Sequence, residues 1–291
     1  MKVVLARPRG FCSGVKRAIS ILDSILMQTT GPVYVYHEIV HNTQVVESFR
    51  RRGAVFVESL DEVPSNSYIL FSAHGVSPVL REQANRRGLI PVDATCPLVD
   101  KLHQQVRDYV QQGFHVILIG HPGHDEVIGT LGEVPNKCIT LVSTPDDVDQ
   151  LQFSPDQKLT CVVQTTFLAA EAEKIIDLIA AKSSCFIYSS HIGVCQVTQQ
   201  RQDAIRTYSQ PCDMVLVIGS QNSSNSRRLL EVALDCGYEA HLIDKPEDID
   251  LDWFAEKDDI FLTVGASAPE ETVQSCVAVL VEHFGAQVVE Q

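Results

Sequence analysis

The 291-residue sequence lacks the features that mark several large classes of protein. It contains no apolar run near the ~18 residues that a membrane-spanning helix needs, so no membrane segment is expected. The first residues reach Arg7 too early to form a secretory signal, which makes the cytoplasm the expected location. The net charge of −14 has the wrong sign for binding a phosphate backbone, so nucleic acid is not an expected partner.

The common metal and nucleotide motifs are missing as well. None of the nine cysteines forms a Cys-x-x-Cys pair, which excludes the usual zinc-ribbon, thioredoxin and bacterial ferredoxin spacings. Their odd number and wide spread argue against a disulfide framework. No Walker loop and no GxGxxG fingerprint is present, so a nucleotide is not the expected ligand.

What the sequence does contain is a unit repeated three times. Each unit opens with a cysteine and a helix-like stretch, at Cys12, Cys96 and Cys195. Three short apolar runs with the character of buried strands then follow. These runs cover 33–36, 55–57 and 69–72 in the first unit, 116–119, 141–142 and 161–164 in the second, and 215–218, 241–243 and 260–264 in the third.

This alternation of strands and helices predicts small, mostly parallel α/β domains. We expect a first domain over 1–95 with the N-terminal strand and Cys12, a second over 96–194 and a third over 195–291. Three like domains around a pseudo-threefold axis would bring the three equivalent cysteines together. In such sheets ligands bind beyond the carboxyl ends of the strands.

The repeat-opening cysteines are candidate metal ligands, because a helix start stabilises the thiolate. Three thiolates at one point need a cation between them. Zinc would normally take a fourth protein ligand or a water. A cubane iron–sulfur cluster would use Cys12, Cys96 and Cys195 and leave one iron open to a substrate oxygen, whereas electron-transfer clusters usually have four protein ligands. The missing fourth cysteine therefore favours catalysis.

The other six cysteines are expected to be small buried hydrophobic residues. Their predicted places are strands for Cys138 and Cys161, helices for Cys236 and Cys276, and strand borders for Cys185 and Cys212.

Polar side chains follow the strands in equivalent loops of the three units. They are His41, His74, His121 and His124, with Ser223, Ser224, Asn225 and Ser267 in the third unit. Together with backbone N–H groups at helix starts, they would form a donor-rich site for a diphosphate. Glu126 is the one acid among them and is either a solvated helix-start carboxylate or a proton donor. Thr165, on a matching loop, could relay a proton.

These residues lie in motifs that resemble those of the 4-hydroxy-3-methylbut-2-enyl diphosphate reductase (LytB/IspH) family, which acts last in the non-mevalonate isoprenoid pathway. The matching motifs are PRGFC at 8–12, HEIVHN at 37–42, SAHGV at 72–76, DATCPLV at 93–99, GHPGH at 120–124, QTT at 164–166, NSSNS at 222–226 and GASAP at 265–269. Departures are small and include Ser13 and Val197 in place of Ala, and Asp125 where Pro is often found.

The resemblance implies a trefoil of three similar α/β domains around a [4Fe–4S] cluster, held by Cys12, Cys96 and Cys195 with the fourth iron open to substrate or water. It implies that Glu126 feeds protons, assisted by Thr165, with His124 also counted as catalytic. The diphosphate would be held by His41, His74, His124, Thr165, Ser223, Ser224, Asn225 and Ser267. Ferredoxin or flavodoxin would deliver two electrons singly, and loss of the hydroxyl would give isopentenyl or dimethylallyl diphosphate.

Two other functions remain open on the sequence. A redox-neutral hydro-lyase would use the open iron as a Lewis acid and would need no electron donor. An iron–sulfur or zinc sensor would use the metal to control binding to a partner, but it leaves Glu126 and the polar loops without a role.

Overall fold

The structure is a computed structural model that describes residues 1–188, 193–210 and 212–291. Its strands are β1 Lys2–Leu5, β2 Val33–Tyr36, β3 Ala54–Val57, β4 Tyr68–Phe71, β5 Ile90–Asp93, β6 His115–Ile119, β7 Ile139–Val142, β8 Leu159–Val163, β9 Met214–Ile218, β10 Glu239–Ile243, β11 Asp259–Val264 and β12 Gln287–Glu290. Its α-helices are α1 Ser13–Gln28, α2 Thr43–Arg51, α3 Pro78–Arg86, α4 Pro97–Gln111, α5 Asp125–Leu131, α6 Pro145–Gln150, α7 Ala169–Lys182, α8 Gln196–Tyr208, α9 Ser224–Asp235 and α10 Glu270–Phe284. Within the described ranges, no helix is long and apolar enough to cross a bilayer.

The strands form three sheets with one common plan. The sheet orders are β3-β2-β4-β5, β7-β6-β8 and β10-β9-β11-β1-β12, and all the strand pairs are parallel. In each sheet the first strand of a repeat lies between the second and the third. The prediction of three small α/β domains with parallel sheets is therefore confirmed.

The chain divides into two compact units. The unit made of Arg17–Ile39 and Arg52–Cys195 holds the first two sheets. In β6, Ile117 and Ile119 join one buried cluster, whereas Val116 and Leu118 join another on the opposite face. Helices therefore cover both faces of this sheet, which explains why its strands are continuous apolar runs rather than alternating ones.

The other unit consists of Met1–Lys16, Val40–Arg51 and Gln196–Gln291, and it holds the third sheet. Here β1 lies between β11 and β12. Val3 and Leu5 are buried in the core of this sheet. The prediction that the N-terminal strand belongs to the first domain is therefore wrong. The apolar run needs cover on both faces, and the third sheet supplies it. The boundaries near residues 95 and 195 stay a prediction.

Candidate functional site

The three repeat-opening cysteines each lie directly before a helix. The helices α1, α4 and α8 begin one residue after Cys12, Cys96 and Cys195. All three thiols are of intermediate exposure. The Cys12 Sγ accepts a hydrogen bond from the backbone N–H of Val15 at 3.4 Å. The first-turn N–H groups of α1 therefore face the sulfur that is predicted to be a metal ligand.

The backbone of each of these cysteines is anchored in the same way. Its N–H donates to the carbonyl oxygen of a residue just after the third strand of a repeat, with distances of 3.2 Å for Cys12 and Ala266, 2.9 Å for Cys96 and Ala73, and 2.8 Å for Cys195 and Thr165. Each cysteine is thus attached to the sheet of the preceding repeat, and Cys12, which opens the first repeat, is attached to the third. The attachment of Cys12 to the third sheet agrees with the pairing of β1, seven residues earlier, with β11 of the same sheet.

Glu126 is buried and is hydrogen-bonded to Thr165 through both carboxylate oxygens. Glu126 as a whole is only 2% exposed. Its Oε1 accepts from the Thr165 N–H and its Oε2 accepts from the Thr165 hydroxyl, both at 2.7 Å. A solvated helix-start carboxylate is therefore excluded. The carbonyl of the same threonine anchors Cys195, so acid, hydroxyl and candidate ligand form one connected group.

Two histidines lie beside this acid. The Nδ1 atom of His124 accepts a hydrogen bond from the Glu126 N–H at 3.1 Å and caps α5. Because Nδ1 is the acceptor, the proton of the ring is on Nε2, which makes that atom a donor suited to a phosphate oxygen. The ring of His74 meets the His124 ring edge-on at 5.7 Å. The structure thus brings His74, His124, Glu126 and Thr165 together, as the sequence predicted.

A further carboxylate, not predicted as functional, completes this group. Asp125 Oδ1 lies 2.7 Å from His37 Nδ1, and Oδ2 lies 3.8 Å from His74 Nδ1. The hydrogen bond to Asp125 raises the pKa of His37, and burial of the imidazole opposes this only in part. His121 has a different place, because its ring stacks on Phe167 at 4.6 Å.

A buried ion pair packs against the loop that carries His74. His103 Nδ1 lies 2.8 Å from Glu133 Oε1, and Arg107 binds the other carboxylate oxygen. Burial acts to raise the pKa of Glu133, but the hydrogen bonds and charges of His103 and Arg107 hold it below its usual value. A Cβ on Gly75, next to His74, would lie only 2.9 Å from His103 Cε1, so the imidazole packs directly under that loop.

The other polar residues predicted to bind the diphosphate lie in the unit made of Met1–Lys16, Val40–Arg51 and Gln196–Gln291. Ser223, Ser224 and Asn225 are all buried at the start of α9. The amide nitrogen and oxygen of Asn225 are both buried without a hydrogen-bond partner among the described residues. Because a buried amide left unpaired is costly, this side chain fits a ligand that pairs it. The Ser267 hydroxyl donates to the carbonyl of His41 at 2.9 Å.

Arg201 is a positioning residue that the sequence analysis missed. It is 1% exposed on α8, and its guanidinium donates to the carbonyls of Gly10, at 2.6 Å, and of Val264. It therefore ties the loop that carries Cys12 to the end of β11. Its position six residues after Cys195, inside a helix, gave no signal of burial, because arginine is usually exposed.

The remaining cysteines match their prediction only in part. Cys161, Cys212 and Cys276 are buried, and burial raises the pKa of Cys212 to about 11 and of Cys276 to about 12. Cys236 is exposed, because it follows the last turn of α9 rather than lying inside the helix. Cys138 ends a short 3₁₀ turn before β7 and is of intermediate exposure, as is Cys185.

Known proteins resemble this chain over its whole length. The model of the LytB protein family matches residues 3–281. The 4-hydroxy-3-methylbut-2-enyl diphosphate reductase of Rhodopirellula baltica is 48% identical over 288 residues, covering 99% of this chain and 90% of the relative. That of Saccharophagus degradans is 47% identical over 280 residues, covering 95% of this chain and 90% of the relative.

Solved structures give the same result. The E-1-hydroxy-2-methyl-but-2-enyl-4-diphosphate reductase of Plasmodium falciparum has a TM-score of 0.96 at 35% identity, covering 100% of this chain and 92% of that one. A structure of (E)-4-hydroxy-3-methyl-but-2-enyl diphosphate reductase, the terminal enzyme of the non-mevalonate pathway, has a TM-score of 0.69 at 28% identity. It covers 97% of this chain and 100% of that one.

Proposed function

The chain belongs to the LytB family, and on this basis we propose that it reduces 4-hydroxy-3-methylbut-2-enyl diphosphate to isopentenyl and dimethylallyl diphosphate. It is an oxidoreductase of the non-mevalonate isoprenoid pathway. The observation that carries the proposal is the buried Glu126 carboxylate, which is bound through both oxygens to Thr165 next to the anchor of Cys195.

The donor set fits a [4Fe–4S] cluster with Cys12, Cys96 and Cys195 as its ligands. These thiols share a helix-start position, intermediate exposure and an equivalent backbone anchor. When bound, such a cluster supplies electrons one at a time and offers one iron without a protein ligand to a substrate oxygen or water. The electron donor is ferredoxin or flavodoxin, and the reaction takes place in the cytoplasm.

The diphosphate is bound by neutral and imidazole donors rather than by lysine or arginine. The proposed residues are His41, His74, His124, Thr165, Ser223, Ser224, Asn225 and Ser267. Two observations support this set. The Nδ1 of His124 accepts from the Glu126 N–H, which leaves Nε2 as the donor, and the amide of Asn225 is buried without a hydrogen-bond partner in the described part of the chain. Both are donors that a phosphate oxygen would satisfy.

The reaction needs protons as well as electrons. Two electrons and two protons convert the allylic alcohol to an alkene and water, with cleavage of one C–O bond. One proton leaves with the hydroxyl as water, and the other adds at either end of the allylic unit, which gives the two products. Protonated Glu126 would hold the proton at its carboxyl. The Thr165 hydroxyl, which donates to Oε2 at 2.7 Å in the structure, would then accept that proton and pass on its own.

The reaction is tested by an anaerobic assay of the purified protein with 4-hydroxy-3-methylbut-2-enyl diphosphate and a strong one-electron donor. We expect both isoprenoid diphosphates to form only when the donor is present. Turnover without a reductant would instead support the hydro-lyase. An intact cluster with no turnover in either case would support the sensor.

The cluster ligands are tested by single Cys→Ser variants. Cys12→Ser, Cys96→Ser and Cys195→Ser should each lose most of the bound iron and sulfide and all turnover. Cys138→Ser is the matched control, because Cys138 has the same intermediate exposure but no equivalent anchor. An iron content that depends on Cys138 and not on Cys96 would overturn the assignment.

A further inference from the structure

Asp125 is a charged group beside His74 that has no role in the reaction proposed above. Asp125, the first residue of α5, is bound to His37 at 2.7 Å and lies 3.8 Å from the Nδ1 of His74. All three side chains are largely buried, with exposed fractions of 18% for Asp125, 26% for His37 and 14% for His74. A carboxylate is unexpected beside a diphosphate-binding imidazole, because its charge has the same sign as the ligand.

His37 is held in an unusual conformation that directs it to this carboxylate. Its φ of 56° is one that residues with a side chain rarely adopt. Its N–H donates to the end of β3, and in the other two repeats the equivalent donors are Gly120 and Gly219. The first repeat therefore carries an imidazole where the other two carry no side chain. Its ring is stacked on Tyr36 at 4.1 Å. Backbone strain that is maintained in this way indicates a functional constraint.

The hydrogen bonds define what each ring nitrogen of His74 can do. Its Nδ1 faces the Ser72 hydroxyl at 3.2 Å and the carboxylate of Asp125 at 3.8 Å. With Nδ1 directed to these groups, Nε2 is the atom that can bind a phosphate oxygen. Its Nε2 can donate there in either protonation form of the ring, because Nδ1 can accept from the Ser72 hydroxyl or donate toward the carboxylate of Asp125.

We propose that Asp125, paired with His37, is a positioning residue for the substrate diphosphate. It holds the His74 imidazole, through Nδ1, in the orientation in which the other ring nitrogen binds a phosphate oxygen. The inference rests on the proposed function, in that the anion is the diphosphate of the substrate. His37 balances the charge of Asp125, so that the pair does not repel the ligand.

Neutralising Asp125 distinguishes this role from simple repulsion, because the two predict opposite signs. In Asp125→Asn, the positioning role predicts that the KM for the substrate and the Kd for inorganic pyrophosphate both rise about tenfold, the size of one charge-assisted hydrogen bond. The kcat should stay within about twofold, since Glu126 is untouched. An unchanged or lower KM and Kd would overturn the proposal.

Glu58→Gln is the matched control. Glu58 is the other carboxylate near His37, at 3.6 Å, but its side chain is 86% exposed, so the solvent screens it. The KM of Glu58→Gln should match that of the wild type. An increase in KM equal to that of Asp125→Asn would contradict a specific role for Asp125. In the double variant His37→Gly, Asp125→Asn, the losses should not add, because the two residues act as one unit. Additive losses would contradict the pairing.

The readouts separate this inference from the reaction itself. Iron content and pyrophosphate binding are measured on the holoenzyme of each variant, and equal iron content shows that the fold is intact. If the wild type showed no donor-dependent turnover, the proposed function would fail, while the pyrophosphate Kd values would still decide the role of Asp125.

Discussion

The starts of α5 and α9 have the same architecture and different chemistry. Each follows the first strand of its repeat, β6 or β9, and each loop begins with a glycine, Gly120 or Gly219. The N–H of this glycine donates to the end of the second strand of the repeat, at 3.0 and 2.8 Å. Each helix is capped by a side chain of its own loop. His124 Nδ1 accepts from the second helical residue, and Ser223 Oγ accepts from the third.

The difference lies in the residues that follow the caps. In α5 they are Asp125 and Glu126, which can exchange protons, whereas in α9 they are Ser224 and Asn225, which cannot do so at neutral pH. Glu126 and Asn225 hold equivalent second positions, and both are buried. The acid has a protein partner and the amide has none among the described residues. Within the proposed function, the comparison predicts that α5 supplies the proton and that the first turn of α9 contributes only to ligand binding.

The strongest test of this division is Glu126→Gln. The isosteric amide keeps an acceptor for the Thr165 N–H but cannot donate the reaction proton. We expect kcat to fall by about 10²–10⁴-fold, the usual range for a lost general acid, with iron content unchanged. The measurement is steady-state turnover under anaerobic conditions with excess reductant.

Glu133→Gln is the control for this variant, because Glu133 is also buried but is paired with His103 and Arg107. It should lower the free energy of unfolding by about 3–5 kcal/mol, as when one partner of a buried ion pair is removed, and leave kcat nearly unchanged. Near-normal turnover of Glu126→Gln, or an equal loss of turnover in Glu133→Gln, would remove the proton role from Glu126.

The corresponding change in α9 is Asn225→Ala. Loss of the amide should raise the KM for the substrate by roughly 10–100-fold, the range for one hydrogen bond to a charged group, and should change kcat little. The free protein should not lose stability, because the variant removes a buried amide that is unpaired. The measurements are KM and a urea unfolding curve. The exposed Asn85→Ala should change neither.

A large loss of stability in Asn225→Ala with no change in KM would contradict the binding role. Asn225 would then be a packing residue, and the proposed ligand-binding role of the first turn of α9 would lose its main support.

Much of the fold could be predicted because its signals are local. The apolar runs, the turns after them and the helices after Cys12, Cys96 and Cys195 are each encoded within a few residues. The pairing of β1 with β11 could not be predicted, because it joins residues more than 250 positions apart. Nothing in the run Val3-Val4-Leu5 indicates which sheet will cover it.

The site was predictable by residue type and not by partner. Polar residues after strands identified Glu126, but only the structure shows that it is buried against Thr165. His37 and Asp125 are 88 positions apart in the chain, so no local pattern predicts that they pair. In the sequence, Asp125 stands out only as a residue that differs from the Pro often found there in the family motif. The prediction that Cys236 is buried is wrong, because Cys236 follows the last turn of α9 and is exposed. Helix periodicity does not fix the residue at which a helix ends.

The smallest expected effect concerns the glycines that begin the two loops. In Gly219→Ala, the new Cβ would collide with Ser226 Oγ and lie 2.8 Å from Ser226 Cβ. We expect the free energy of unfolding to fall by about 1–3 kcal/mol, the usual cost of overpacking. The measurement is the urea midpoint at an unchanged m-value. Gly31→Ala is the control, because its Cβ would meet nothing within 4 Å.

The same test bears on the histidine of the first repeat. If Gly219→Ala and its α5 equivalent Gly120→Ala, whose Cβ would lie 2.8 Å from Val127, are both destabilised, this position requires glycine wherever its helix packs closely. His37 then has a side chain at a position where the other two repeats require glycine, and its φ of 56° is the backbone strain associated with that side chain. If both variants are as stable as Gly31→Ala, packing does not require glycine at Gly120 and Gly219. The histidine at the equivalent position of the first repeat would then not be exceptional.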